Sequence, residues 1–184
     1  MKRFAFVVGL VVLVFAVSLW AQTTAPKPDP ELKKLSALVG HWTYEGEYKA
    51  GPTGPGGNAK GDELIQWING GFFLQDLEIE KVALGETRFA LIYAYDPVSK
   101  NIVCSGLGID GSKVTGIVKV SGNTSTLEGK YLIAGKENFA KITLAVAADL
   151  MSIAQKAEIS EDGKTWAPFF EGKWTKVKPA PKTK

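Results

Sequence analysis

This sequence predicts an all-β fold, an up-and-down antiparallel β-barrel of about ten strands with a short N-terminal capping helix. Three observations carry that expectation. Apolar and polar side chains alternate from His41 to Val177, the period of half-buried strands with one wet face. Turn residues recur at hairpin spacing: Asn69-Gly70-Gly71, Asp96-Pro97, Asp110-Gly111, Ser121-Gly122-Asn123 and Asp162-Gly163. No second helical pattern interrupts them, which removes parallel crossovers. At roughly 12–14 residues per strand and turn the span divides into about ten strands, and that many successive hairpins resolve their edges best by closing on themselves.

The chain has 184 residues, a length for one domain. Met1-Lys2-Arg3 precede an apolar run from Phe4 to Trp20, broken only by Gly9 and Ser18, and the small residue Ala21 follows. A basic start, an apolar stretch and a small residue make a secretory signal peptide over residues 1–21, cleaved after Ala21. The run is close to the shortest length that spans a bilayer, so an uncleaved anchor is the competing reading. Cleavage places the protein in the periplasm or outside the cell. A membrane is a partner only if the segment is kept.

Residues 22–30 form a linker, because Ala25-Pro26-Lys27-Pro28-Asp29-Pro30 sustains neither helix nor ladder. Asp29 then reads as an N-cap, Pro30 as the first helical residue and Glu31 as the acid of the first turn. Leu32, Leu35, Leu38 and Val39 recur at helical spacing, and Gly40 stops the helix, which covers residues 30–39. So short a helix is stable only when packed on something.

The barrel domain spans residues 31–178. Trp42, Tyr44, Gly46 and Tyr48 alternate with Thr43, Glu45 and Glu47 in its first strand. A Gly- and Pro-rich stretch from Gly51 to Gly61 reads as a long hairpin loop at one rim. Leu77 and Ile79 alternate with Asp76, Glu78 and Glu80, and Phe89, Leu91, Tyr93 and Tyr95 share one face. Later strands bury Val114, Val118 and Val120, then Leu127, Tyr131 and Ile133, then Ile142, Leu144 and Val146, then Ile153, Ala157 and Ile159. Residues 179–184 are a disordered basic tail.

Charge and composition exclude several functions. Residues 22–172 hold 15 basic and 19 acidic side chains, a net −4, while the last twelve residues hold five lysines and no acid. An acidic body with a short basic end is not a nucleic-acid binder. One cysteine, Cys104, permits neither an internal disulfide nor a thiolate zinc cluster, and one histidine, His41, removes most metal and triad designs. No metal, no cofactor and no catalytic residue is expected. Gly54, Gly56 and Ala59 match G-x-G-x-x-A, but a strand follows where phosphate binding needs a helix N-terminus. The sequence carries no signal for an oligomeric state.

Leu38-Val39-Gly40-His41-Trp42 after a short helix resembles the Gly-x-Trp opening of lipocalins and related calycin barrels, which implies that Gly40 and Trp42 are structural and that Trp42 packs across a closed base. More of the chain is similar to the bacterial family catalogued as domain of unknown function fifteen seventy-nine. The matching stretches are Gly40-His41-Trp42 with Glu45-Gly46, the run from Trp67 to Gln75, Tyr95-Asp96-Pro97, and the run from Ser160 to Trp166. That resemblance implies the barrel and no particular activity. Some small calycin barrels, nitrobindins among them, hold haem through one histidine late in the chain; none stands there in this one.

Three functional classes follow: a non-catalytic barrel that binds a small apolar ligand or lipid in the bacterial envelope, an interaction module filled by its own side chains, and a barrel enzyme. The first leads. Alternation nominates Tyr44, Leu77, Phe89, Tyr93, Tyr131 and Trp174 as inward side chains around the ligand, with the open end away from the helix. The runs Phe72-Phe73 and Phe169-Phe170 are places where register can shift. Export has its own test: N-terminal sequencing of the exported protein should begin at Gln22, whereas full-length chain held in the inner membrane would favour the anchor.

Overall fold

The structure, a computed structural model, describes residues 26–51, 54–83 and 85–178. The signal segment 1–21, its cleavage site and the basic tail 179–184 lie outside the described residues. Ten antiparallel strands close into one barrel: β1 (Gly40–Tyr48), β2 (Gly57–Ile68), β3 (Phe73–Val82), β4 (Gly85–Asp96), β5 (Asn101–Gly108), β6 (Lys113–Ser121), β7 (Thr124–Ile133), β8 (Lys136–Val146), β9 (Ser152–Ser160) and β10 (Ala167–Lys176). Each strand pairs with its neighbours in sequence, and β1 pairs with β10 to complete the ring. Closure leaves no edge strand among the described residues.

The N-terminal helix departs from expectation. Pro30–Leu38 is a 3-10 helix rather than an α-helix, and it ends one residue early, with Val39 already extended. Leu32, Leu35 and Leu38 stand every third residue, the repeat of a 3-10 helix, so all three fall on one edge and are buried in the core. Asp29 Oδ1 accepts from the Glu31 N–H at 2.8 Å, the cap read from the sequence. Trp42, with 0% of its surface exposed, donates from Nε1 to the Leu38 carbonyl at 2.8 Å. One ring therefore fixes the helix against the first strand.

Two other local readings change. Gly57, Asn58, Ala59 and Lys60 belong to β2, so the first rim loop is shorter than its glycines suggested. In β10 the register shifts between Pro168 and Phe170, and this bulge buries both Phe169 and Phe170. The turn from β2 to β3 uses Asn69, Gly70 and Gly71 at φ of 49°, 70° and 91°; three successive left-handed residues explain why two are glycine.

The two ends of the barrel differ. The helix, the start of β1 and the end of β10 share one end, where Leu32, Leu35, Leu38, Trp42 and Leu74 form a dense core. The opposite end carries the loops β1–β2, β3–β4, β5–β6, β7–β8 and β9–β10. Replacing Trp42 with Ala should cost about 3–5 kcal/mol, as large core deletions do. Urea unfolding checks it, and a change below about 0.5 kcal/mol, the range of a surface site, would contradict its role.

Candidate functional site

Inside the barrel, away from the helix, lies a cavity of about 690 Å³. Its mouth is formed by Gly54–Gly57, Val82, Ala83, Gly85, Ile109, Asp110 and Ser112, all at the loop end. Tyr44, Phe89, Tyr93, Tyr131 and Trp174 line it. Leu77 does not: it is 38% exposed on the outer wall, beside Leu64 and Ile79. The expected face of β3 is inverted, and Asp76, Glu78 and Glu80 point inward in its place.

The inversion has a simple cause. Cross-strand neighbours in an antiparallel pair share a face of the sheet. Asp76 sits opposite Ile65 on β2 and Leu91 on β4, and Glu78 sits opposite Glu63 and Phe89. Once Ile65, Phe89 and Leu91 face the interior, Asp76 and Glu78 must as well. The sequence held one hint of this, and the hairpin register supplies the rest. Leu74 and Val82 bracket the three acids on the even-numbered face, and a two-residue connection at positions 83–84 pairs Val82 with Gly85 and hence Glu78 with Phe89.

Four carboxyl groups thus make a polar strip along the wall formed by β2 and β3: Glu63, Asp76, Glu78 and Glu80. Side-chain donors from three aromatic residues reach it. Trp174 Nε1 donates to Glu63, Tyr44 Oη donates to Glu78, and Tyr48 Oη lies 3.0 Å from Glu80 Oε2. Tyr44 Oη is also 2.9 Å from Glu80 Oε1. One hydroxyl proton serves one carboxylate, so the arrangement is satisfied when the other carboxyl keeps its proton and donates to the tyrosine oxygen. Aromatic rings pack behind the donors: Tyr44 stacks on Trp174 at 4.7 Å between centroids, and Phe170 meets Trp174 edge-on at 6.0 Å. The Phe170 ring occupies the space that side chains at Gly46 and Gly172 would need.

Burial without a cation on the strip governs its acidity. Lys49 is the one basic residue among those that line the cavity; it is at the rim, paired with Glu47 at 2.7 Å. Burial raises Asp76 to about 7, with the charge of Glu78 adding to it. Burial likewise raises Glu78 to about 8, with the charge of Glu63 adding. Glu63 is also raised well above the ordinary carboxylate range, through burial first and then the charge of Asp76. Burial also raises Glu80. Tyr44, Tyr48, Tyr93 and Tyr131 all stay protonated, again chiefly through burial.

The remaining candidates take no part in the cavity. His41 is on the outer wall with Nε2 3.1 Å from Asp62 Oδ1. Cys104 is buried beneath the cavity beside Tyr93, its thiol pushed up to about 12 by desolvation, which leaves it a weak nucleophile. Among the described residues no group of three or more His, Cys, Asp or Glu side chains is placed to hold a metal ion.

With this geometry in place, comparison with known proteins decides the family. The profile of DUF1579, described as a protein of unknown function, matches residues 27–176. This chain belongs to DUF1579. No curated protein matches it. Among solved structures, the crystal structure of Rv2717c from M. tuberculosis is similar at 16% identity, with 83% of this chain and 100% of that chain covered and a TM-score of 0.61. That likeness concerns the fold. A de novo designed fluorescence-activating β-barrel matches 79% of this chain and 98% of its own, at 10% identity and a TM-score of 0.40.

The buried acids of this DUF1579 chain set its response to pH. Asp76 and Glu78 hold protons in the folded state that the unfolded chain releases above its ordinary carboxylate range, near pH 4. Their stabilising contribution is complete at low pH and is lost as pH rises through about 8. Each tenfold change in proton affinity is worth about 1.4 kcal/mol, so the loss is several kcal/mol. Urea midpoints should therefore fall between pH 5 and pH 8. Glu78→Gln, which keeps a partner for Tyr44, should shrink that difference and exceed the wild type in stability at pH 8. A wild-type midpoint that rises over this range would show the acids to be ionised and well paired.

Proposed function

We propose that this chain is an exported, non-catalytic binding barrel that holds a small, largely apolar molecule inside its cavity. Its 3-10 helix closes the far end in the manner of lipocalins, and the envelope is its compartment. The observation that supports this reading is the cavity itself. Its volume of about 690 Å³ falls within the range of small-molecule sites, roughly 300–1,000 Å³. Its lining is mainly aromatic and aliphatic, with a few convergent polar groups on one wall, the composition that fixes a ligand's orientation as well as holding it. A barrel serving only as an interaction surface has no need of such a space, since small barrels can fill their interiors with side chains.

One feature favours a second reading, a barrel enzyme. Glu63 and Asp76 are buried together in the cavity wall, and burial raises Asp76 to about 7, where a general acid or base works best. In that case Asp76 would move a proton to or from a molecule lodged above it.

A thermal-shift screen of long-chain alcohols, isoprenoids and aromatic amines tests the binding reading. A ligand of the cavity raises the melting temperature by mass action, worth about 2.7 kcal/mol at a hundredfold excess over Kd. Tyr131→Arg, which places a charged chain in the cavity, should abolish the shift. A hit indifferent to Tyr131→Arg would place binding elsewhere. Recovery of the bound molecule in altered form, with alteration lost in Asp76→Asn, would instead favour the enzyme.

A further inference from the structure

The carboxyl strip goes beyond a generic apolar site. Four carboxyl groups, two oxygens apiece, receive hydrogen bonds from only three side chains, Trp174, Tyr44 and Tyr48. Asp76 is 4% exposed, lines the cavity, and its Oδ1 meets no hydrogen-bond partner from the protein. A buried acceptor with no donor is costly unless something supplies one. The strip thus leaves one buried oxygen, Asp76 Oδ1, without a donor, and no cation faces it. Opposite and beside it stand ring faces, with Tyr44 stacked on Trp174 and Tyr131 edge-on to Phe169 at 5.9 Å. Carboxylates interleaved with aromatic rings are the surroundings that favour an ammonium group, through charge-assisted hydrogen bonds on one side and ring quadrupoles on the other.

Resting on the binding reading above, we infer that the ligand is a protonated amine with an apolar body. Its ammonium group seats on the strip formed by Glu63, Asp76, Glu78 and Glu80, and its apolar part extends among Phe89, Leu127 and Ile142. An ammonium carries three N–H donors and one positive charge, and so meets both deficits. A neutral alcohol supplies a single donor and no charge. A fatty acid brings a fifth carboxyl group, and at pH 8 a further negative charge, to a wall that no cation faces, so the strip selects against it.

Three probes with one hydrocarbon body separate these cases: decylamine, 1-decanol and decanoic acid, titrated calorimetrically into the mature chain at pH 8. Decylamine should bind about tenfold or more tighter than decanol, the usual advantage of a charge-assisted over a neutral hydrogen bond. Decanoic acid should bind weakest. The double variant Glu78→Gln and Glu80→Gln should cut decylamine affinity by about tenfold and leave decanol within about twofold. Decanol binding as tightly as decylamine, or decanoic acid binding tightest, would overturn the amine inference and leave the binding cavity standing. Binding of none of the three would count against the cavity as a binding site. Should the double variant fail to fold, Asp76→Asn is read in its place, and the order of the three probes on the wild type decides.

Discussion

Everything inside this barrel depends on a rule of parity. In a closed antiparallel ring, residues paired across strands share a face, and the ring returns to its first strand, so inside and outside are set for all ten strands together. Turning β3 over alone would break its ladders with both β2 and β4 and would expel Leu74, which has no exposed surface, from the core. Asp76, Glu78 and Glu80 are held inside by that collective cost. Their own preference for water is outvoted by the pairing of every other strand.

The molecule divides its interior accordingly. At the helix end, Leu32, Leu35, Leu38, Trp42 and Leu74 pack without polar interruption, and the Trp42 hydrogen bond to the Leu38 carbonyl ties helix to barrel. Burial of this kind supplies most of a small domain's stability, at about 25 cal/mol per Å² of apolar surface. At the loop end the interior is hollow and one wall is acidic. Groups that oppose folding at neutral pH are gathered in the hollow half of the barrel, away from the helix. Departures from the simple rule of apolar inside and polar outside tend to fall where a protein does something other than fold.

The aromatic residues serve both halves. Trp42 is wholly structural, buried between helix and sheet. Trp174, Tyr44 and Tyr48 place their rings in the wall and their polar atoms on the carboxyl strip. Such side chains reconcile an apolar barrel with a buried polar strip, because each presents a large apolar body and one well-placed donor. Phe170, seated over Gly46 and Gly172, fills the side of the barrel where two paired glycines would otherwise leave a gap.

Sequence alone determined the strand count, the class of fold, the cap at Asp29, the structural place of Trp42, and the inward faces of β1, β4, β6, β7, β8 and β9. Those follow from local periodicity and turn chemistry, which act within a hairpin and need no partner farther away. The leucine spacing read as an ordinary helical stripe, and over so short a stretch it did not distinguish the 3-10 helix that forms. What only the tertiary structure decided was the face of β3, the bulge that buries Phe169 with Phe170, and the meeting of Glu63 with Asp76. Alternation fixes the period of a strand and not its phase, and β3 has apolar residues on both faces, so its own sequence favoured the wrong one. Phase is transmitted from strand to strand by cross-strand pairing, and closure of the ring is what makes that transmission binding.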